Sequence, residues 1–429
     1  MRVAVIGSGI AGLASAWLLS RQHEVTLFEG NDYLGGHTHT HDIELDGRHY
    51  AVDSGFIVHN PAHYPLLTQL FDELGVASQP TTMSFAVHNE ASGLEYNATS
   101  LDALFCQRRN LLSPRFIGMV RDLFRFYREA PALLDGKGHG PALGDWLAEN
   151  RYGAAFRDEH LVPMASALWS SPPEQILAFP ARYLVQFMAN HQMLQVAGRP
   201  EWRVVRGGSA SYVRAMRRRW QVRERLGTPV RHIRRDMLGV TVTSEAGSER
   251  FDQVVLACHS DQALALLADA SERERTILGA IPYQANDVVL HTDATLLPRR
   301  RKAWAAWNAF IPREPDAPCT VSYCMNLLQS LDAPQPFVVT LNRSEAIDPA
   351  KVLRRMRYHH PVYTHLSVAA QRRKAEIQGI NRTWFAGAYW GWGFHEDGMR
   401  SAVEVATAFG VRWNTPNTAS PLRHAGNAA

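Results

Sequence analysis

The sequence predicts an α/β protein in which a discontinuous Rossmann-like domain is interrupted by a domain of helices and mixed sheet. The chain opens with an apolar run at residues 2–6, a helical pattern at 10–21 and a second apolar run at 24–29, which together indicate a βαβ unit. Residues from about 100 to 199 show apolar side chains at helical spacing. Residues 383–412 have the pattern of a strand, a glycine turn and a helix, so we expect the chain to return to its first domain there.

The segments between these regions have the residue types of strands. Five such runs follow the helical region: "GVTVTSE", "DQVVLAC", "NDVVLHTD", "CTVSYCM" and "PFVVTLN". Because the helices stand between two sets of strands, we expect the second domain to be inserted into the first. The predicted bounds are 1–75, 200–275 and 376–413 for the first domain, 76–199 and 276–375 for the second, and 414–429 for a disordered tail.

Length and composition bound the classes of protein to which the chain can belong. Its 429 residues exceed the usual length of one domain, and 46% hydrophobic with 20% charged residues is ordinary globular composition. Four cysteines without metal-binding spacing favour a reducing, cytoplasmic setting. No signal cleavage site is evident and no apolar run reaches the ~20 residues of a membrane span, so we expect a soluble or peripheral protein. A net charge of +4 without an RNA-binding signature argues against nucleic acid as a partner.

A glycine fingerprint stands between the first strand and the first helix. Gly7, Gly9 and Gly12 form G-x-G-x-x-G, the motif that binds dinucleotides when it occupies this position. The first glycine allows a tight turn, the second lets the backbone approach a pyrophosphate, and the third lets helix and strand pack closely. Ile10 and Ala11 open the helix, whose N-terminus favours the phosphate charge. The pattern predicts a dinucleotide site.

An acid and a second glycine pair narrow the choice of dinucleotide. Glu29 ends the second strand, where a carboxylate can accept hydrogen bonds from the hydroxyls of an adenosine ribose and disfavours a ribose 2′-phosphate. NADP is therefore not expected. Gly35 and Gly36 follow in "EGNDYLGGHTHT", and in flavoproteins such a pair lets the chain pass close under the dinucleotide. These residues leave FAD and NAD as the two candidates.

Five sequence blocks occur in the order of a known superfamily. They are "VAVIGSGIAGLASAWLL…VTLFEGNDYLGGH", "VDSGFIVHNPAHYPLLTQLFDELG", "VVRGGSASYVRAM", "DQVVLACHSDQAL" and "TWFAGAYWGWGFHEDGMRSAVEVA". In these blocks the chain resembles the flavin amine oxidase superfamily, which includes monoamine oxidases, protoporphyrinogen oxidases and phytoene desaturases. The stretches "SYCMNLLQ" and "WAAWN" are similar to a bacterial subgroup that accompanies fatty-acid-modifying enzymes. The resemblance implies an FAD-dependent oxidoreductase.

The resemblance assigns further cofactor contacts. It implies that Val230 meets the adenine through its backbone and that Gly387 approaches the pyrophosphate. Backbone amides at the start of the last helix are implied to face the N1/O2 edge of the flavin, where a helix N-terminus stabilises negative charge. Those helix residues are Glu396, Asp397, Gly398 and Met399.

Aromatic rings alternate with glycines just before that helix. Tyr389, Trp392 and Phe394 are the candidate catalytic positions, because bulky rings beside bare backbone can orient a substrate at the flavin and exclude water. Packing of these rings between the domains is the alternative interpretation.

Two departures from the family pattern bear on the reaction. Ala388 stands where family members carry an acid after the glycine of "FAG". Asn286 and Asp287 stand where amine oxidases place a lysine near flavin N5, which favours dehydrogenation or isomerisation of carbon chains over amine oxidation. The region corresponding to the flavin-linking thiol of monoamine oxidases contains no cysteine, so the FAD is expected to be non-covalent.

His37, His39 and His41 alternate along one segment and could face the same way as metal ligands. No cysteine or carboxylate cluster completes such a site, so a segment flanking the flavin is favoured, with His37 at the cofactor. No metal is expected.

The segment 113–131 predicts an amphipathic helix with a basic face. Arg121, Arg125 and Arg128 could contact an anionic membrane, although packing against the substrate domain is the favoured interpretation. The basic runs at 216–220 and 299–302 could add to such a contact.

Together these features predict hydride removal from a carbon of a hydrophobic substrate, with an unsaturated or methylated fatty acyl chain as the first candidate. Amine oxidation and a non-catalytic, flavin-bound assembly factor stay open as alternatives. The electron acceptor and the oligomeric state stay undetermined.

Overall fold

The computed structural model of the chain describes residues 1–136, 140–169, 171–196, 198–314 and 317–413. The predicted disordered tail at 414–429 lies outside these residues. Within them the α/β fold class and the helical character of the region from 100 to 199 are confirmed.

A parallel sheet forms one half of the molecule. Its five strands lie in the order Val222–Arg225, Glu24–Phe28, Arg2–Ile6, Gln253–Leu256 and Thr383–Phe385. All four neighbouring pairs are parallel, as βαβ connections require. Segments far apart in the sequence therefore build one Rossmann-like sheet, as the discontinuous first domain predicted.

One helix is enclosed beside this sheet. The helix Ile10–Leu19 is apolar around its whole circumference, and all ten of its residues are buried. It packs against the last helix, His395–Ala408. A Cβ added to Gly398 would lie 2.6 Å from Ile10 Cγ2, so the missing side chain lets the two helices approach each other closely. The beginning and the end of the chain thus meet at the cavity described below.

A mixed sheet of seven strands forms the framework of the other half. Its order is Val352–Pro361, Tyr283–His291, Val338–Leu341, Thr320–Cys324, Trp307–Ile311, Phe85–Asn89 and Leu94–Asn97. Its pairs are antiparallel except for the parallel pair of Trp307–Ile311 with Phe85–Asn89. Three of the five strand-like runs of the sequence lie in this sheet, "DQVVLAC" lies in the parallel sheet and "GVTVTSE" in a small sheet, so all five are confirmed as strands.

Three small sheets complete the β structure. They pair Thr40–Leu45 with Arg48–Asp53; Gly239–Ser244 with Val230–Asp236 and Gly247–Phe251; and Trp202–Val205 with Val58–His59 and Ser78–Thr81. Asp53, fully buried, accepts hydrogen bonds from the Ser209 backbone N–H at 2.9 Å and from Gln329 Nε2 at 3.0 Å. It therefore ties the first hairpin to segments of both halves.

The helices of the second half lie over the mixed sheet. Between residues 101 and 190 the α-helices are Leu101–Leu104, Pro114–Glu129, Leu143–Glu149, Ala154–Phe156, Val162–Trp169, Pro173–Leu177 and Ala181–Asn190. A π-helical turn, Arg157–Leu161, joins two of them. The other α-helices are Pro65–Leu74, Ala210–Arg217, Ser260–Leu266, Glu272–Leu278, Met325–Leu328 and His365–Arg372.

Candidate functional site

One cavity of about 1580 Å³ lies between the parallel sheet and the helices of the second half. Its wall starts at Glu29 and Val230, passes Gly9 and Gly36, and continues to Phe394 and the helices. This volume exceeds the ~300–1,000 Å³ of a typical small-molecule site. There is room for a dinucleotide and a second molecule.

The fingerprint glycines take the conformation and the spacing that a phosphate loop requires. Gly7 has a φ of 96°, in the left-handed region that glycine adopts without strain. A Cβ on Gly12 would lie 1.9 Å from the carbonyl oxygen of Gly7, so only glycine permits this contact between helix and strand. By contrast, a Cβ on Gly9 would meet no atom within 4 Å. Gly9 therefore borders open cavity at the N-terminus of the helix, where an anion is stabilised; Ile10 and Ala11 line the same part of the wall.

The second glycine pair brings another piece of backbone to the same place. Gly35 packs against Thr38, since a Cβ there would lie 2.3 Å from the Thr38 carbonyl oxygen. Gly36 has a φ of 56°, and a Cβ on it would lie 3.1 Å from the Cα of Gly9. The next residue, His37, lines the cavity, and its Nε2 is buried without a hydrogen-bond partner among the described residues. Such a nitrogen fits an occupant with its own donors and acceptors.

Glu29 lies in the cavity wall with its carboxylate already well satisfied. One oxygen accepts from the Ser8 backbone N–H at 2.9 Å and from Ser8 Oγ at 2.6 Å. The other accepts from the Asn31 backbone N–H at 2.9 Å and from Asn31 Nδ2 at 3.0 Å. A carboxylate has about four lone-pair sites, so ribose hydroxyls would replace part of this set. Val230, the predicted adenine contact, lines the wall near Glu29 at the start of a strand.

The C-terminal glycine turn also reaches the cavity. Gly387 and Ala388 line the wall, and the Gly387 N–H donates to Ser401 Oγ at 2.9 Å. A Cβ on Gly387 would lie 2.1 Å from the ring of Tyr389, which explains the need for glycine beside that ring. Ser401, which holds this turn from the last helix, was not identified from the sequence.

The two acids at the start of the last helix point into the protein. Glu396 accepts the backbone N–H groups of Leu66 and Leu67, each at 3.0 Å, at the N-terminus of the helix Pro65–Leu74. Burial raises the pKa of Glu396 to about 7. Asp397 accepts the backbone N–H groups of Trp392 at 3.0 Å and Phe394 at 3.1 Å. Burial also raises the pKa of Asp397. Both carboxylates thus bind backbone N–H groups around the cavity. A contact of Glu396 and Asp397 with the cofactor stays a prediction, and it concerns their backbone amides.

The next two helix residues have packing roles. Gly398 faces Ile10, and Met399 is 1% exposed in the core between the parallel sheet and the last helix. Neither belongs to the cavity wall within the described residues. The predicted amide contacts of these two residues with the flavin edge stay predictions as well.

The three aromatic candidates occupy different places. Tyr389 and Phe394 line the cavity, and Phe394 stacks on Phe187 with a centroid distance of 5.2 Å. Trp392 lies behind this wall: it is 6% exposed, and its ring lies 6.1 Å from that of Phe187 within the helical core. Its carbonyl oxygen accepts a hydrogen bond from Trp169 Nε1 at 3.3 Å. The turn at Gly393 thus places the ring of Phe394 at the cavity and that of Trp392 in the core behind it, and the predicted role of Trp392 in guiding a substrate stays a prediction.

His395, which sequence analysis missed, lies between these rings and the glycine turns. It lines the cavity, stacks on Phe56 at a centroid distance of 3.7 Å, and has its Nε2 at 3.0 Å from Thr38 Oγ1. Burial lowers the pKa of His395 well below its usual value, so the ring is neutral at neutral pH. Its place directly after the aromatic stretch was the available signal.

Histidines from three segments meet in one part of the wall, and two of them, His359 and His360, were not identified from the sequence. His259, His359 and His360 line the cavity together with His37. The ring of His37 lies 5.2 Å from that of His360 and 6.4 Å from that of His259. Burial lowers the pKa of His37 and of His360 to about 3, and that of His259 to about 4. The rings of His37, His259 and His360 are therefore polar but uncharged.

The alternating histidines do not converge on one point. The rings of His39 and His41 lie 4.1 Å apart, whereas His37 turns to Tyr358 at 4.9 Å. His41 Nε2 lies 2.8 Å from Ser54 Oγ. Across the residues that the structure describes, no group of three or more histidine, cysteine, aspartate or glutamate side chains is placed to hold a metal ion.

The strand position that carries a lysine in amine oxidases has a different arrangement here. Asn286 is fully buried; its Nδ2 lies 3.1 Å from His360 Nδ1, and its Oδ1 accepts a hydrogen bond from Asn342 Nδ2 at 2.7 Å. Asp287 is exposed, and its backbone N–H donates to Asn342 Oδ1. None of the described residues that line the cavity is a lysine.

The fold and the site together define a protein that holds a dinucleotide against an enclosed and largely apolar chamber. Residues 10–300, more than half of the chain, match the family described as flavin containing amine oxidoreductase, and the chain belongs to this family. Members of the family use FAD, usually bound non-covalently, which confirms the predicted cofactor. The loop at Gly9, the turn at Gly36 and the unpartnered nitrogen of His37 fit such a group.

Three similar proteins illustrate what the chain resembles. The curated protein "Putative flavin-containing monoamine oxidase AofH" of Mycobacterium tuberculosis is 30% identical over 268 residues, which are 59% of this chain and 56% of that protein. The chain thus spans about half the length of this relative. The 1-hydroxycarotenoid 3,4-desaturase of a Flavobacterium species is 34% identical over 120 residues, covering 25% of this chain and 24% of that protein.

The third is a solved structure. The CLA-producing fatty acid isomerase from P. acnes superposes with a TM-score of 0.67 at 18% identity, covering 95% of this chain and 98% of that one. At this identity the likeness concerns the fold.

Proposed function

We propose that the chain is an FAD-dependent oxidoreductase that removes hydride from a carbon of a hydrophobic substrate, with an unsaturated or methylated fatty acyl chain as the preferred class. The apolar character of the far half of the cavity is the observation that carries this proposal. When bound, the flavin supplies a two-electron acceptor for hydride.

The wall of that half is built from carbon-rich side chains. Helical residues supply most of it: Met119, Val120, Leu123, Phe124, Tyr127, Met164, Leu168 and Phe187. The charged side chains near it, Arg199 and Glu201, are exposed and stand at the opening. A chamber of this kind is suited to a flexible apolar chain, because burial of such a chain is favourable at about 25 cal/mol per Å².

The residues nearest the glycine turns can orient the reacting carbon and keep water away. Phe394 is held by its stack on Phe187, and His395 by its stack on Phe56. A carbon must come within ~3–3.5 Å of its hydride acceptor in a near-attack geometry, and rings fixed from two sides can impose such a position. The neutral rings of His37, His259 and His360 add hydrogen-bonding groups without adding charge.

Amine oxidation is the second candidate, and the family and the likeness to AofH favour it. Against it stand the absence of lysine among the described wall residues and the buried amide network at Asn286. An amine substrate would also arrive protonated, and the far half of the described wall offers only the exposed Glu201 as a carboxylate partner.

Anaerobic flavin reduction separates these candidates. The purified flavoprotein is mixed with unsaturated and methyl-branched acyl lipids dispersed in detergent, and separately with primary amines and polyamines, while the flavin absorption band is followed. We expect bleaching by an acyl lipid and slower bleaching in Phe394→Ala. Bleaching by amines alone, faster as pH rises and the amine loses its proton, would replace the proposal with amine oxidation. Bleaching by neither panel would favour the non-catalytic, flavin-bound alternative.

A further inference from the structure

Exposed apolar side chains gather around the helical opening of the cavity. Leu101 is 76% exposed, Phe124 55% and Val196 67%, although all three also line the cavity. Side chains that are both exposed and part of the wall mark where the cavity opens. Beside them, Leu112 is 88% exposed and Ile117 45%, on the segment that leads into the helix Pro114–Glu129. We call the set Leu101, Leu111, Leu112, Ile117, Phe124 and Val196 the apolar rim.

Positive charge surrounds the apolar rim. Residues 99–129 and 299–302 together carry ten basic residues and three acidic ones, whereas the whole chain has 45 basic and 41 acidic residues. The two segments lie side by side, because Lys302 Nζ lies 3.0 Å from Asp102 Oδ2. Within this set Arg121 and Arg128 are largely exposed, with 79% and 75% of their side chains accessible. These two segments thus carry a local excess of positive charge, part of which is paired with Glu95 and Glu159 outside them.

Arg125, which sequence analysis grouped with Arg121 and Arg128, has another role. Its guanidinium lies 3.9 Å from the ring centroid of Tyr152, and its Nε donates to Glu129 Oε2 at 2.9 Å. It therefore holds the helix Pro114–Glu129 to the rest of the helical region. Arg121 and Arg128 pair with the adjacent Asp122 and Glu129 at 3.8 Å and 3.1 Å, and their largely exposed side chains can face a surface.

We propose that the apolar rim docks on an anionic lipid bilayer, so that the cavity opens towards the acyl chains of the membrane. This inference rests on the proposed function, since an acyl chain could then enter without crossing water. Exposed apolar side chains enter the boundary between headgroups and chains, and the surrounding arginines bind anionic headgroups. The contact is peripheral: no helix within the described part of the chain is long and apolar enough to cross a membrane.

Vesicle sedimentation of the full-length flavoprotein tests the proposal. We expect binding to vesicles with equal amounts of phosphatidylcholine and phosphatidylglycerol, weaker binding to phosphatidylcholine alone, and release as salt screens the attraction. The double variant Leu112→Ser with Ile117→Ser should bind these vesicles roughly tenfold more weakly than wild type, because each replaced side chain loses apolar burial in the bilayer. Neither residue lines the cavity, so its flavin content should stay unchanged.

The chain offers a matched control. Met237 and Leu238 are 92% and 83% exposed in the turn of a hairpin outside the rim, and Met237→Ser with Leu238→Ser should bind vesicles as wild type does. Equal loss in both double variants, or no wild-type binding to anionic vesicles, would overturn the proposal. So would a stable dimer in solution that Leu112→Ser with Ile117→Ser dissociates, because a second copy would then cover the rim.

These outcomes are separate from those of the flavin assay. Detergent-dispersed acyl lipid needs no bilayer, so failure of docking alone leaves flavin reduction intact. Failure of the proposed function leaves sedimentation intact and removes reduction.

Discussion

The two ends of the cavity are built in different ways. At the nucleotide end, the wall consists of backbone at Gly7, Gly9 and Gly36, with Glu29 beside them, all within thirty residues of one another. At the substrate end, side chains from separate helices and from the C-terminal turn form the wall. The nucleotide end depends on glycines at fixed spacing, which have no side chains. The substrate end depends on how side chains from segments far apart in the sequence pack together. Each prediction below tests one side of this contrast.

The largest expected effect concerns the substrate end. Trp392→Ala should lower the free energy of unfolding by ~3–5 kcal/mol, the usual cost of truncating a buried tryptophan. Phe394→Ala, two residues along, should lower stability less and slow flavin reduction more, because Phe394 lines the cavity. Denaturant unfolding and anaerobic stopped-flow reduction measure the two quantities. If the two variants are equally stable and flavin reduction is slower in Trp392→Ala than in Phe394→Ala, Trp392 contacts the substrate.

The next effect concerns the carboxylate of the nucleotide end. Glu29→Ala should weaken FAD binding by ~1.5–3 kcal/mol, the usual loss for hydrogen bonds to a charged group. Glu24→Ala, at the exposed end of the same strand, serves as the control and should leave FAD affinity unchanged. Titration of the apoprotein with FAD provides the measurement. If both variants bind FAD like wild type, Glu29 serves only to hold Ser8 and Asn31.

The smallest expected effect on stability distinguishes two of the three fingerprint glycines, Gly9 and Gly12. Gly12→Ala should destabilise the apoprotein by ~1–3 kcal/mol, because the new methyl group overlaps the Gly7 carbonyl. Gly9→Ala should leave the apoprotein as stable as wild type, since its methyl group meets open space, and should weaken FAD binding. Gly118→Ala, on a helix with open space at its Cβ, is the control for glycine replacement. Thermal unfolding with and without FAD shows whether the two replacements affect stability and FAD affinity separately. If Gly9→Ala binds FAD with wild-type affinity, the prediction that the phosphate binds at this loop is wrong.

Sequence patterns were informative at positions where a single physical requirement allows a single residue type. The βαβ unit, the turn at Gly7 and the close contact at Gly12 follow from local spacing, and the structure has them in the predicted places. The alternation of rings and glycines in the C-terminal block was less informative, because alternation does not state which ring faces the cavity. The left-handed backbone at Gly393, with a φ of 89°, decides that for Trp392 and Phe394.

The sequence by itself determined the Rossmann-like opening, the glycine loop and the place of Glu29, because backbone contacts within thirty residues follow from spacing and steric limits. Only the tertiary structure decided that Trp392 packs in the helical core, that Arg125 belongs to the helix contacts, and that His359, His360 and His395 reach the cavity. The physical reason is that these positions depend on packing between segments as far as 357 residues apart, for which no local pattern carries the information.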